Sequence, residues 1–229
     1  MASKYYFPDP TDFILYNFYF IYDLIIMKIE TELKRLVKYS KQYHKNGWMP
    51  ATAGNLSIFD RTQNQVSITA SGKNKSKLTE KDFILIDPDT KEILKDTKDF
   101  PSAETSIHLA IYKNIPTATA IVHVHLPETC KIKFNMEKYD FAKRFYLPNI
   151  EILKAFGNFN ENPNLASIVT YNHGDVEQIA TDISDALFQY PSDVPFFITE
   201  NHGITVWGNS VEEANKHLEA ADFILRTMI

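Results

Sequence analysis

The sequence is poor in cysteine. Cys130 is the only thiol in 229 residues, so no disulfide can form within the chain, and such scarcity suits a reducing cytoplasm. Cys130 has no neighbour that would activate it and reads as a buried or half-buried spectator. Basic charge is also short: 24 Lys and Arg stand against 29 Asp and Glu, a net charge of −5. A binder of polyanions carries a basic surplus or patch. The one dense lysine group here, Lys73, Lys75 and Lys77, lies in a short loop too small to follow a duplex, so no nucleic-acid partner is expected. No apolar run is long enough for a membrane either. Phe13 to Met27 (FILYNFYFIYDLIIM) is apolar and aromatic, but Asn17 and Asp23 interrupt it, and it falls short of the roughly 20 residues a span needs. A secretory leader would show a basic start and a small-residue cleavage site, and neither is clear. No repeat, low-complexity tract or linker divides the chain.

What is present is a globular composition, 44% hydrophobic and 23% charged, in a length that buries one core of ordinary size. Met27 opens MKIETELKRLVKYSKQY, which reads as the start of a fresh amphipathic helix. Residues 1–26 are therefore expected to be an N-terminal extension, either upstream of the working protein or an arm packed on a neighbour, and 27–229 the working domain. Ile29, Leu33, Leu36, Val37 and Tyr43 share one helical face, and Gly47 and Pro50 stop that helix.

Strands are expected from the turn Ala51–Asn55 into Phe59, over Gln65–Ala70, Phe83–Ile86, Ala118–Val124, Ser167–Tyr171, Phe196–Thr199 and Ile204–Trp207. Helices are expected over Ala103–Tyr112 with Ser102 as N-cap, Ile150–Phe156, Val176–Phe188 and Val211–Met228. Strands and helices mix without strict βαβ alternation. The pattern predicts an α/β fold with a central mixed or antiparallel sheet and helices on both faces.

Within this frame AIVHVH, Ala120 to His125, ends an apolar strand on two histidines. Alternation along a strand puts His123 and His125 on one face with Val124 on the other. Two imidazoles so placed can share a metal ion, and a catalytic zinc site needs a third protein ligand. His202, in the turn Glu200-Asn-His-Gly203, and His173, in Asn172-His-Gly-Asp175, both qualify, and residue chemistry alone separates them poorly. His108, on the helix after Pro101, reads as a packing or helix-surface histidine. Thr52-Ala-Gly-Asn55 and Thr69-Ala-Ser-Gly72 are turns whose backbone N–H groups and hydroxyls can cradle a phosphate, with Lys73 or Lys75 adding charge. Glu104 opens a helix, where the dipole favours an acid, and Glu151 opens another.

Six segments, GWMPATAGNLS, ITASGKNKSKLTEKDF, PSAETSIHLAIY, AIVHVH, EILKAF and ENHGITVWG, together resemble the class II aldolase/adducin family from about Glu30 to the C-terminus. The resemblance implies a three-layer α/β/α sandwich for the catalytic domain 27–229. It also implies a homotetramer with active sites at subunit contacts, and one Zn2+ per subunit on His123, His125 and His202. By motif match it prefers His202 to His173. It implies a substrate phosphate held by Gly54, Asn55, Ser71, Gly72 and Lys75. Glu151 becomes the acid/base, with Glu137 the neighbouring alternative because the segment FNMEKYDFAKRFYLP can shift the alignment. Glu104 stands where the aldolases carry their catalytic acid. The pairing of GWMPATAGNLS with EILKAF implies the dehydratase branch: zinc-dependent loss of water from 5-methylthioribulose 1-phosphate, in cytoplasmic methionine salvage. An aldolase or 4-epimerase acting on a sugar phosphate is the alternative, and a non-catalytic adducin-like binding domain a further one. The chain stops soon after its last predicted helix, so a C-terminal tail that would complete a neighbour's site is expected to be missing from the sequence.

Overall fold

The computed structural model describes the backbone of residues 10–161, 163–190 and 192–229, with side chains from Met27 onward. The apolar side chains read between Phe13 and Ile26 lie outside that description. Helix α1, Pro10–Lys45, is continuous through Met27, so no new helix begins there. It ends at Gly47, whose φ of +78° turns the chain, and Trp48 N donates back to Tyr43 O at 2.9 Å.

Eight strands follow: β1 Asn55–Asp60, β2 Gln65–Thr69, β3 Phe83–Ile86, β4 Ala120–Val124, β5 Lys143–Tyr146, β6 Ala166–Thr170, β7 Phe196–Thr199 and β8 Gly203–Gly208. Among the described residues the helices after α1 are α2 Thr105–Asn114, α3 Glu128–Lys131, α4 Val176–Gln189 and α5 Val211–Thr227, with short 3₁₀ turns at Lys75–Lys77, Glu80–Asp82 and Glu151–Phe156. One sheet runs β3-β2-β1-β4-β8-β7-β6-β5. Every neighbouring pair is antiparallel except β6 with β7. The mixed, largely antiparallel sheet is thus as expected.

Alternation along the strands sorts side chains into two layers. Leu56, Ile58, Val122, Val124, Ile204 and Val206 face the α1 and α5 side, with Leu36, Leu218 and Leu225. Ile68, Ile121, Phe197 and Trp207 face the α2 and α4 side, with Ile111, Ile179 and Ile183. Asp175 caps α4 by accepting from Glu177 N, and Ser210 caps α5 by accepting from Glu213 N.

Three local expectations are corrected. Ser102 is not the N-cap of α2: an isolated bridge between Ala70 and Pro101, with Ser102 N donating to Thr69 O at 3.1 Å, holds this residue on the sheet. The helix therefore starts only after Glu104. Cys130 is exposed, because the single turn of α3 buries Glu128 and Thr129 instead. Strand β5 and helix α3 were not foreseen: KRFY alternates weakly, being exposed except at Phe145, and α3 is four residues long.

Candidate metal centre and anion cleft

Asn55, His123 and Thr205 are aligned partners across β1, β4 and β8, on the sheet face covered by α2. A row of polar groups in a buried sheet must find partners, since each one left bare costs about 1–3 kcal/mol. His123 Nδ1 lies 2.9 Å from Thr205 Oγ1, which leaves Nε2 pointing away from the sheet. His125 follows two residues later, its backbone N–H fixed on Trp48 O at 2.8 Å.

His202 comes from the β7–β8 turn. Asn201 there takes φ +55°, and His202 N donates to Thr199 O at 3.1 Å. Gly203 is obligatory: a Cβ on it would stand 2.4 Å from Val124 O and 3.0 Å from His123 Cε1. Its absence lets β8 approach β4 and brings the turn over His123.

The three imidazoles meet edge to face, with ring centroids 5.0 Å (His123–His125), 5.1 Å (His123–His202) and 4.7 Å (His125–His202) apart. One nitrogen of each lies within 4.8 Å of the others. Among the described residues, His123 Nε2 and His202 Nδ1 are buried without a hydrogen-bond partner. Three clustered imidazoles, with His123 Nε2 left without a hydrogen bond and its other nitrogen tied to a hydroxyl, are the donor set a divalent transition ion takes. Burial holds His123 neutral, pushing it down to about 3 against the pull of Glu104. Burial also lowers His125, with His202 adding to the effect. Neutral rings are the ligating form.

Glu104 closes the group. Its Oε1 lies 2.9 Å from His202 Nε2 and its Oε2 3.4 Å from His123 Nε2. Burial works against its charge, but His123, His202 and the Asn55 amide outweigh burial and hold the carboxyl well below the usual range. Sequence reasoning missed what supports it. Asn55 Nδ2 donates to Glu104 Oε2, and Asn55 Oδ1 faces His108 Nε2 at 2.6 Å. The signal was available: Glu104, His108 and Tyr112 recur at i+4 on one helix face.

A cleft of about 280 Å³ opens beside the histidines, lined by Gly54, Ser71, Gly72, Lys75, Glu104 and His125. Gly54 has φ +76° and could carry no Cβ, which would stand 2.7 Å from His123 O. Lys75 is 1% exposed. Its ammonium donates to Thr52 O at 2.9 Å and Lys73 O at 3.0 Å, and burial pushes it down to about 8. Lys73 is instead committed to Asp99 at 2.8 Å and Asp82 at 3.2 Å. Two expected phosphate donors are also engaged: Ser71 N–H donates to Phe100 O at 2.9 Å, leaving its hydroxyl, and the Asn55 amide is taken up by His108 and Glu104.

Other residues singled out from the sequence lie elsewhere. His173 Nε2 is 2.8 Å from Asp182 Oδ2 and outside the cluster. The 3₁₀ turn carrying Glu151 packs through Leu153 and Phe156 on the α1/α5 layer, and the Glu151 side chain, 77% exposed, pairs with Lys154 at 3.1 Å. Within one chain it does not join the histidines. Glu137 is exposed, with its backbone N–H on Asp140. Glu200, not foreseen, is buried and accepts from Phe134 N at 3.0 Å and Met136 N at 3.1 Å.

Comparison with known proteins fits this geometry. Residues 34–229 match the family model described as class II aldolase and adducin N-terminal domain. The methylthioribulose-1-phosphate dehydratase of Leptospira interrogans is 42% identical over 208 residues, covering 88% of this chain and 84% of that protein. The protein of the same name from Microcystis aeruginosa is 37% identical over 195 residues, covering 85% and 93%. Among solved structures, the L-fuculose-1-phosphate aldolase of Thermus thermophilus superposes with a TM-score of 0.65 at 19% identity, covering 86% of this chain and 94% of that one. That last likeness establishes the fold.

Proposed function

The chain belongs to the class II aldolase and adducin family, and from that premise we propose that it is a cytoplasmic, zinc-dependent hydro-lyase that removes water from 5-methylthioribulose 1-phosphate in methionine salvage. The observation that carries this reading is the convergence of His123, His125 and His202 on Glu104, with His125 and Glu104 also lining the cleft that holds Gly54, Gly72 and Lys75. Identity of about 40% to relatives bearing the dehydratase name supports the choice of reaction.

His123, His125 and His202 would hold the zinc. When bound, it supplies Lewis-acid polarisation of the ketose carbonyl, which acidifies the neighbouring C3–H. The chain's own groups do the rest. Lys75, the Ser71 hydroxyl and the turns at Gly54 and Gly72 hold the phosphate, which fixes C3 relative to the carboxylate. Glu104, ionised and aimed at the cluster, takes the C3 proton. Departure of the C4 hydroxyl then needs a proton donor. Glu151 of a second copy of the chain fills that role by taking over the C3 proton from Glu104 and handing it to the leaving hydroxyl, which departs as water and leaves both carboxylates as they began; the homotetramer implied by the family supplies such a neighbour. The enol left by loss of water ketonises to 2,3-diketo-5-methylthiopentyl 1-phosphate.

A second reading, aldol cleavage of a sugar phosphate, is favoured by one feature: Glu104 is the carboxylate at the histidines. An adducin-like scaffold would have no use for an orphaned imidazole cluster. Zinc-loaded protein mixed with the substrate, beside an EDTA-stripped control, is read by mass spectrometry. A product lighter by one water and absent from the control is expected. Appearance of dihydroxyacetone phosphate would establish cleavage instead, and no turnover by zinc-replete protein would reject this substrate and point to another sugar phosphate or to the binding-domain reading.

A further inference from the structure

Behind Glu104 runs a buried chain of polar groups that the reaction above does not use. Tyr112 Oη is 2.7 Å from Ser57 Oγ. Ser57 Oγ is 2.6 Å from His108 Nδ1. His108 Nε2 is 2.6 Å from Asn55 Oδ1, and Asn55 Nδ2 meets Glu104 Oε2. His108 and Ser57 are fully buried, with Tyr112 and Asn55 nearly so.

The chemistry of these groups fixes the direction of the chain. An ionised carboxylate only accepts, so Asn55 must turn its NH2 to Glu104 and its oxygen to His108. That oxygen requires a proton on His108 Nε2. Burial keeps the ring neutral, pushing it down to about 4, so Nδ1 carries a lone pair. Ser57 then donates to Nδ1 and accepts from the Tyr112 hydroxyl. Every donor points toward Glu104. Reversal would set the Asn55 oxygen against a carboxylate oxygen, two acceptors face to face.

We propose that His108 is a positioning residue: as its Nε2–H tautomer, backed by Ser57 and Tyr112, it locks the Asn55 amide so that Glu104 Oε2 is tied down and Oε1 is presented to the histidine cluster. The consequence for turnover rests on the function proposed above, in which Glu104 moves the C3 proton; the tautomer does not. A carboxylate loosened by about 1 Å loses catalytic power even with every reacting group present.

The test has two arms. In zinc-loaded protein labelled with 15N-histidine, long-range proton–nitrogen spectra, with His108 assigned by its loss in His108→Gln, should show it protonated at Nε2 alone at neutral pH. An Nδ1–H tautomer or an imidazolium there would overturn the proposal whatever the enzyme's activity. In the second arm, His108→Gln sets an amide nitrogen where Nε2 stood and keeps the donor to Asn55, whereas His108→Asn reaches only the Nδ1 position. The Gln variant should keep kcat within about threefold, and the Asn variant should lose about 10–100-fold in kcat, with KM and zinc content unchanged in both. Equal loss in the two variants, or loss accompanied by zinc release, would reduce His108 to a packing residue. If wild-type protein fails to dehydrate the substrate, the reaction is wrong and the tautomer still decides the positioning role.

Discussion

His123 is fixed from two sides, by strand register and by Thr205, and that double constraint separates a ligand from an ordinary buried histidine. His123→Ala should therefore abolish stoichiometric zinc binding and turnover together. Glu104→Gln keeps the shape and the three imidazoles but removes the proton acceptor. Zinc content should stay at one per chain while kcat falls by about 10²–10⁴-fold, read by metal analysis and product assay on the same preparation. Zinc loss in the Gln variant would make Glu104 a ligand rather than a base. Lys75 gives a pH signature. Burial lowers it to about 8, with Glu104 pulling the other way. Its ammonium is thus charged below that pH and attracts the substrate phosphate, and the charge is lost as pH rises. In the free enzyme kcat/KM should fall as pH climbs through about 8, chiefly through a rising KM. Lys75→Met should start low and lose that limb; a limb that persists in this variant would assign it to another group.

At the scale of elements, the site is assembled by a hairpin, a strand end and a helix start, and these differ in how well the sequence announces them. Strand β4 is plain in AIVHV because alternation and burial coincide. The β7–β8 turn is plain in Asn201-His202-Gly203, since only glycine tolerates Val124 O so near. The choice of His202 over His173 was not readable from composition, because both sit in Asn-His-Gly turns; the difference lies in what each turn faces, β4 in one case and Asp182 on α4 in the other. The start of α2 was misplaced for a similar reason. Ser102 has the chemistry of a cap, but the Ala70–Pro101 bridge is a long-range fact. The role of Glu200 is long-range too. It fastens the segment before β5 to the hairpin through Phe134 and Met136. Glu200→Gln keeps one acceptor and turns an NH2 against the second amide, so it should destabilise by about 1–3 kcal/mol in urea unfolding. Hydrogen exchange at Phe134 and Met136 should quicken in parallel. Unchanged exchange there would mean that the segment is held by its apolar contacts, such as Phe134 with Phe145.

For the whole molecule, the cluster is a junction. Zinc on His123, His125 and His202 would join the centre of the sheet to the β7–β8 hairpin, while Asn55 and Glu104 tie the same point to β1 and the start of α2. An unfolded chain separates His123 and His125 from His202 by a third of its length, so the ion binds the native state far better than the unfolded one. At free zinc one hundredfold above its dissociation constant, linkage adds about 2.7 kcal/mol. In a protein of this length each kcal/mol moves Tm by about 2–4 °C, which gives about 5–10 °C between zinc-loaded and EDTA-treated protein in calorimetry. His202→Ala should cancel the difference, because two imidazoles from one strand end make a weak site and the hairpin is then no longer tethered by the ion. His173→Ala should leave the difference intact, since its partner is Asp182 on α4. A zinc-dependent shift that survives His202→Ala but vanishes in His173→Ala would transfer the third ligand to the other turn and, with it, move the reacting centre from the α2 start toward α4.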